Sequence, residues 1–344
     1  MRDILASLDR WRQQGERIAI GTVIETWGSA PRQVGAKLAV NLAGGIAGSV
    51  SAGCVENAVI EAAQASIRSG EPRLLSFGVT QESALEAGLT CGGTIRVFVE
   101  PFSAYASVYD QIRTRMDQRK PVGVVSVLEG PPELINRKLA VFEDGHTEGD
   151  LELADQQEQL VQSVLGRFPN LPGTVFESDG LKLFVDILSR MPRLIIVGAV
   201  HIAEFLVPMA ALAEFEIILV DPRSAFATSE RFPTVKTINR KWPDEALASL
   251  ALDEDSYVVV LTHDPKLDDP ALCAALASKA RYVGALGSRR ANQQRLERLR
   301  EAGLTEAQLD RLHAPIGIPL GNRSTVDIAI SILAELVKVR NGEA

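Results

Sequence analysis

Leu194-Ile195-Ile196-Val197-Gly198-Ala199-Val200-His201 is the stretch that decides how this chain folds. Four apolar residues in a row, with no polar alternation, describe a strand buried on both faces, as in a parallel sheet. A glycine ends it. Ala203, Leu206, Val207 and Ala210 then recur at the spacing of a buried helical face. Strand, glycine turn and helix open a βαβ unit. Downstream the alternation repeats: strands over 217–220, 257–261 and 282–285, helices between them, and a last helix over 325–340. Residues 189–344 therefore read as a Rossmann-like βαβ domain with a parallel sheet.

In an open sheet of this kind ligands sit at the carboxyl ends of the strands. Those ends carry Gly198 to His201, Asp221, Thr262-His263-Asp264 and Gly284 to Ser288. The dinucleotide fingerprint is incomplete. Aligned on Gly198, its second glycine is replaced by Val200 and its third by Ala203, a tolerated variant. The second glycine lets backbone approach a pyrophosphate, so Val200 argues against tightly held NAD(P). Asp221 stands where an acid could take a ribose hydroxyl. His201 reads either as a ligand contact or as a capping and packing residue, and His263 with Asp264 is the better placed pair.

Upstream of Met191 the pattern is different. Ile4, Leu5, Leu8 and Trp11 make a first helix closed near Gly15, and 18–26 and 37–40 read as strands. Further strands are expected over 73–77, 94–100, 122–128, 138–143 and 181–188, with helices over 103–119 and 150–165. Residues 1–188 are thus one α+β domain, with a sub-division near Pro121 and no internal repeat. The whole chain is α/β in class.

Two glycine-framed cysteines stand out in this first domain. Gly48-Ser49-Val50-Ser51-Ala52-Gly53-Cys54-Val55-Glu56 delivers a cysteine to a helix start marked by Val55, Ala58, Val59, Ala62, Ala63 and Ile67. Gly53 or Ser51 would cap that helix, with Glu56 as the acid of a capping box. First-turn amides and the helix dipole favour an anion, and the same field favours a thiolate at Cys54. A small cysteine packed at a crowded helix start is the other reading. Cys91-Gly92-Gly93 precedes an alternating strand in which Ile95, Val97 and Val99 share a face. There is no Cys-x-x-Cys pair, so zinc is not suggested. Arg32, in the loop 27–35, faces either an anionic ligand or solvent. Cys273 reads as core and His146 as solvated.

Composition limits the partners. The 344 residues are 46% hydrophobic and 23% charged, with a net charge of -8 and no basic cluster. Nucleic acid and acidic membrane surfaces are therefore poor partners. No apolar run nears the roughly 20 residues that span a bilayer. Three cysteines do not make a disulfide framework, and a reducing cytoplasm is expected.

Taken together these motifs resemble the XdhC/CoxI family, accessory factors of xanthine dehydrogenase and related molybdenum hydroxylases. The likeness rests on Gly28-Ser29-Ala30-Pro31-Arg32, the 48–56 segment, Cys91-Gly92-Gly93 and the strand ending Glu100-Pro101. In the second half it rests on Val220-Asp221-Pro222-Arg223, Leu261-Thr262-His263-Asp264-Pro265, the 282–290 segment and Ala314-Pro315-Ile316-Gly317. Ala52, Val200 and Pro319 depart from the family pattern. The resemblance implies a cytoplasmic factor that binds molybdenum cofactor, as molybdopterin or its nucleotide form. It implies help to a cysteine desulfurase in sulfurating that cofactor, and delivery to an apo molybdenum hydroxylase. A second copy of the chain is a further candidate partner. The binding residues it marks are Cys54, Cys91, Ser49, Ser51, Gly53, Gly92, Gly93, Arg32, Gly198, His201, Asp221, His263 and Asp264, with Cys54 and Cys91 as thiols near the metal. A Rossmann oxidoreductase using NAD(P), and a scaffold holding no cofactor, are the rival readings.

Overall fold

Residues 1–28, 32–78, 93–153, 156–168, 173–178, 180–321 and 324–342 are described by the computed structural model. They form two compact units, Met1–Arg190 and Met191–Ala344.

In the first unit, α1 (Arg2–Gln13) forms because Ile4, Leu5, Leu8 and Trp11 fall on one buried stripe. Then follow β1 (Ile18–Trp27), β2 (Lys37–Asn41), β3 (Ile46–Gly48), α2 (Glu56–Ser69), β4 (Arg73–Phe77) and β5 (Thr94–Pro101). The chain next repeats that order. A 3-10 turn (Phe102–Tyr105) leads to α3 (Tyr109–Asp117), β6 (Val122–Glu129), β7 (Lys138–Phe142), β8 (Thr147–Gly149), α4 (Gln156–Leu165), β9 (Thr174–Ser178) and β10 (Leu181–Leu188). The two five-stranded sheets have the orders β3-β2-β1-β5-β4 and β8-β7-β6-β10-β9, one the copy of the other.

The absence of a repeat in the sequence reading is therefore corrected: the first unit is built twice from one module. Each sheet buries one face under its own helix. Val23, Leu38, Val40, Val97 and Val99 lie with Val59 and Ala63 of α2. Val127, Leu139, Val141, Leu183 and Val185 lie with Leu160 and Val164 of α4. The opposite faces share a core in which α1 and α3 both take part, and Ile24 and Phe98 of one sheet meet Leu128 and Phe184 of the other.

Other corrections concern helices. The stretch 103–119 is not one helix, since the 3-10 turn is followed by a separate α3 that ends where Arg119 takes a left-handed φ of 58°. The helix expected over 150–165 begins only at Gln156, and α2 begins at Glu56 rather than beside Cys54. On α2, Val59, Ala63 and Ile67 are buried but Ala58 is exposed, so the buried stripe is narrower than the sequence suggested.

The second unit runs β11 (Arg193–Val197), α5 (His201–Leu212), β12 (Glu216–Val220), β13 (Thr237–Asn239), α6 (Pro243–Ser249), β14 (Ser256–Val260), α7 (Pro265–Leu276), β15 (Tyr282–Ala285), α8 (Arg289–Glu301), α9 (Glu306–Leu309), β16 (Leu312–His313) and α10 (Thr325–Arg340). Its six strands are parallel in the order β13-β12-β11-β14-β15-β16. That is the doubly wound order, and the direction of winding reverses between β11 and β14. Gly198 and the segment 261–264 lie at that reversal. Gly198 has a φ of +112°, and a Cβ there would meet the Thr262 side chain at 2.6 Å, so this position requires glycine.

Candidate functional site

The loop from Gly48 to Glu56 is held by its own acid. No side chain caps α2, whose N-cap is Val55. Instead Glu56, the first helical residue, reaches backwards. Its Oε1 accepts from Ser51 N at 2.8 Å and from Ser49 Oγ at 2.9 Å, and its Oε2 accepts from Gly53 N at 3.0 Å and from Ser51 Oγ. The expected capping by Gly53 or Ser51 is thus inverted: Glu56 clasps the loop. Burial opposes the charge on Glu56. The hydrogen bonds from Ser51 and Ser49 outweigh it and hold the carboxyl below its ordinary range. The anion expected at this helix start is therefore supplied by the chain itself.

Cys54 stands on the outside of this clasp. It is exposed, so the packed-cysteine reading does not hold, and its Sγ donates to Ser51 Oγ over 3.6 Å. Ser51 is buried and also accepts from Gly53 N at 3.2 Å and Val55 N at 3.4 Å. The thiol is presented from a loop whose Ser51, Gly53 and Val55 amides and two serine hydroxyls are already bonded. Cys91 and Gly92 lie outside the described residues, and Gly93 leads directly into β5. Arg32 is neither free nor fully solvated: it pairs with Asp3 of α1 at 3.2 Å.

In the second unit the carboxyl ends of β11, β12 and β14 come together. Asp221, 1% exposed, accepts from Ala199 N at 2.8 Å and from Arg223 through its backbone N and Nε, both at 2.9 Å, and Nη2 at 2.7 Å. Burial works against its charge, but the Arg223 bonds prevail and lower its pKa. The acid placed for a ribose is spent on bracing the glycine turn. Arg231 adds a second brace, donating to Ala199 O at 2.9 Å and pairing with Glu204. His201 is exposed and its Nδ1 lies 3.0 Å from Glu204 Oε2.

At the end of β14, Asp264 is the N-cap of α7, accepting from Lys266 N at 3.0 Å. Its neighbour His263 is exposed in a left-handed conformation, φ 64°, which non-glycine residues rarely adopt and which points to a local constraint. Behind it Asp268 takes the Thr262 hydroxyl and pairs with the buried Arg295 at 3.0 Å. Burial raises the Asp268 pKa despite these partners. Cys273 is half-buried against the core, and burial pushes its thiol up. The sequence reading missed Glu56, Arg223 and Arg231 as site residues. Glu56 had a signal in its place after Cys54, and Arg223 in its place two residues after Asp221. Arg231 acts through tertiary contacts.

Comparison with known proteins shows the family. Residues 194–336 match the XdhC Rossmann domain, and residues 11–78 match the XdhC and CoxI family. The chain belongs to the XdhC and CoxI family. Both halves of the XdhC arrangement are thus matched, in order. A protein of Bacillus subtilis named as a probable xanthine dehydrogenase subunit is 26% identical over 336 residues, 97% of this chain and 96% of that protein. The molybdenum cofactor insertion chaperone PaoD of Escherichia coli is 28% identical over 326 residues, 95% of this chain and 84% of that one. A solved xanthine dehydrogenase structure from Bacillus halodurans superposes with a TM-score of 0.81 at 24% identity, over 100% of this chain and 97% of that one, and shows the shared fold. Among the described residues, no helix is long and apolar enough to cross a membrane.

Proposed function

We propose that this XdhC-type chain is a maturation factor that binds molybdenum cofactor and delivers it to an apo molybdenum hydroxylase. One observation carries the reading: Cys54 is exposed at the tip of a loop that Glu56 holds in place. A soft thiol suits a molybdenum–sulfur centre, and a loop already fixed loses little freedom on binding. The donor chemistry therefore fits the cargo, with Cys54 at the metal end and Cys91 as the second thiol. The names borne by PaoD and by the Bacillus subtilis relative support the same role. A cysteine desulfurase as sulfur donor belongs to this reading as a partner.

The test is direct. The chain is purified from a host that makes the cofactor, and the released small molecules are identified by mass spectrometry. Titration with purified cofactor then compares the unmodified protein with Cys54→Ala, Cys91→Ala and the double variant. Equal binding by all four would sink the reading.

A second reading, an NAD(P)-dependent oxidoreductase, is favoured by the doubly wound strand order and by Asp221 at the end of β12. Against it stand the Asp221 carboxylate, committed to Ala199 and Arg223, and Val200 in place of the second glycine. Weak NAD(P) binding is the expected result.

A further inference from the structure

The two copies within the first unit match at a set of key positions. Lys37-Leu38-Ala39-Val40 of β2 recurs as Lys138-Leu139-Ala140-Val141 of β7. Lys37 Nζ reaches Thr22 Oγ1 on β1 at 3.3 Å, and Lys138 Nζ reaches Ser126 Oγ on β6 at 2.8 Å. Each lysine also crosses to the other copy, Lys37 to Asp186 of β10 at 2.6 Å and Lys138 to Glu100 of β5 at 2.5 Å. Gly48 and Gly149 close the equivalent hairpins at φ +77° and +83°, and a Cβ on either would meet the carbonyl oxygen of Lys37 or Lys138 at 2.2 and 2.4 Å. After these glycines Val50 and Leu151 are both fully buried. Glu56 and Gln157 then stand equally far along, and each accepts a loop amide, Ser51 N at 2.8 Å and Leu151 N at 3.2 Å.

In the sequence of the second copy the equivalent positions are Asp150-Leu151-Glu152-Leu153-Ala154-Asp155-Gln156-Gln157, of which 154 and 155 lie outside the described residues. It has no thiol and no hydroxyl there. An exit glycine, one buried aliphatic and one acceptor side chain satisfy what the fold requires. We infer that the second copy is the structural default of this module, and that Ser49, Ser51, Gly53, Cys54 and Glu56 of the first copy are there for the ligand. The same comparison says which end of the ligand they hold. Glu56 fills the amides at Ser51 and Gly53 and takes both serine hydroxyls, so what these residues leave exposed is the Cys54 thiol. That thiol receives the soft metal–sulfur end of a cofactor. This assignment rests on the maturation-factor reading above.

The experiment is a transplant within the full chain: residues 49–56 are replaced by the sequence of 150–157. The chimera is expected to melt within a few degrees of the unmodified protein and to lose at least about tenfold in cofactor binding. Separately, alkylation of Cys54 is followed by mass spectrometry, and purified cofactor is expected to protect it while millimolar inorganic phosphate does not. A chimera that binds as before overturns the inference. So does a chimera that fails to fold while Cys54→Ser and Ser51→Ala fold normally, because the copies are then not equivalent. Protection of Cys54 by phosphate overturns the assignment of the metal end. If the unmodified protein takes up no cofactor at all, the maturation-factor reading fails instead, and the melting comparison still decides whether the second loop can replace the first.

Discussion

Lys37 Nζ lies 2.6 Å from Asp186 Oδ2, so the second strand of one sheet is tied to the last strand of the other by a buried ion pair. Lys138 and Glu100 make the reciprocal tie at 2.5 Å, with both side chains at most 1% exposed. Each lysine thus pairs with the acid of the other copy. Removing one partner strands a buried charge, whereas removing both leaves a smaller cost. Lys138→Met is expected to destabilise the unit by about 3–5 kcal/mol, and Lys138→Met with Glu100→Leu by much less. Urea unfolding monitored by circular dichroism measures this. A single variant as mild as its double would show that the tie contributes nothing.

Gly48 and Gly149 give a matched comparison of space and backbone strain. Alanine at either would press its Cβ against a backbone carbonyl at 2.2 or 2.4 Å, while Gly44, at φ +90°, has nothing within 4 Å. Gly44→Ala should cost about 1 kcal/mol of left-handed strain, and Gly48→Ala and Gly149→Ala clearly more. Melting temperatures in the order Gly44→Ala above the other two are expected. The reverse order would contradict the packing of the hairpins.

Glu56 has a lowered pKa, so the stability it gives the loop is fully present above the ordinary glutamate value of about 4.3 and is lost as pH falls through its lower folded value. Glu56→Gln keeps one acceptor but removes charge-assisted bonds of about 1.5–3 kcal/mol each, so the loop should open more often. Faster proteolytic nicking or amide exchange over 49–55 at pH 7 is the expected outcome. Exchange unchanged by the substitution would mean the clasp does not order the loop.

Asp221 follows the same sign. Its lowered pKa means that the brace on Ala199 and Arg223 holds at neutral pH and weakens as pH drops below about 3.9. Asp221→Asn should lower the melting temperature at pH 7, and the gap to the unmodified protein should close in acid. A gap independent of pH would place the effect in packing rather than in charge.

Val200 is tested by calorimetry with NAD and NADP. The unmodified chain should bind either cofactor more weakly than low-micromolar, that is, with a free energy less favourable than about -8 kcal/mol. Val200→Gly is expected to strengthen binding if the side chain is the obstacle, and to leave it weak if the committed carboxylate of Asp221 is. Low-micromolar binding by the unmodified protein would raise the oxidoreductase above the carrier.

Much of this architecture was legible in the residues alone. The apolar run 194–197 and its glycine announced β11 and the turn, because a strand buried on both faces leaves no room for polar alternation. The place of Cys54 between glycine and a helix start was equally plain. The strands β13 and β16, with three and two residues, carry too little pattern to be seen without their neighbours. Only the tertiary structure showed the duplication, since the two copies share little beyond Lys-Leu-Ala-Val and are matched by hydrogen bonds and buried positions that diverged residues can satisfy equally well. It alone decided what Asp221, Arg32 and Glu56 are bonded to. A charged side chain's type and local spacing say what it could hold, but its partner is whichever group the fold brings within reach, and for these three that group is another part of the same chain.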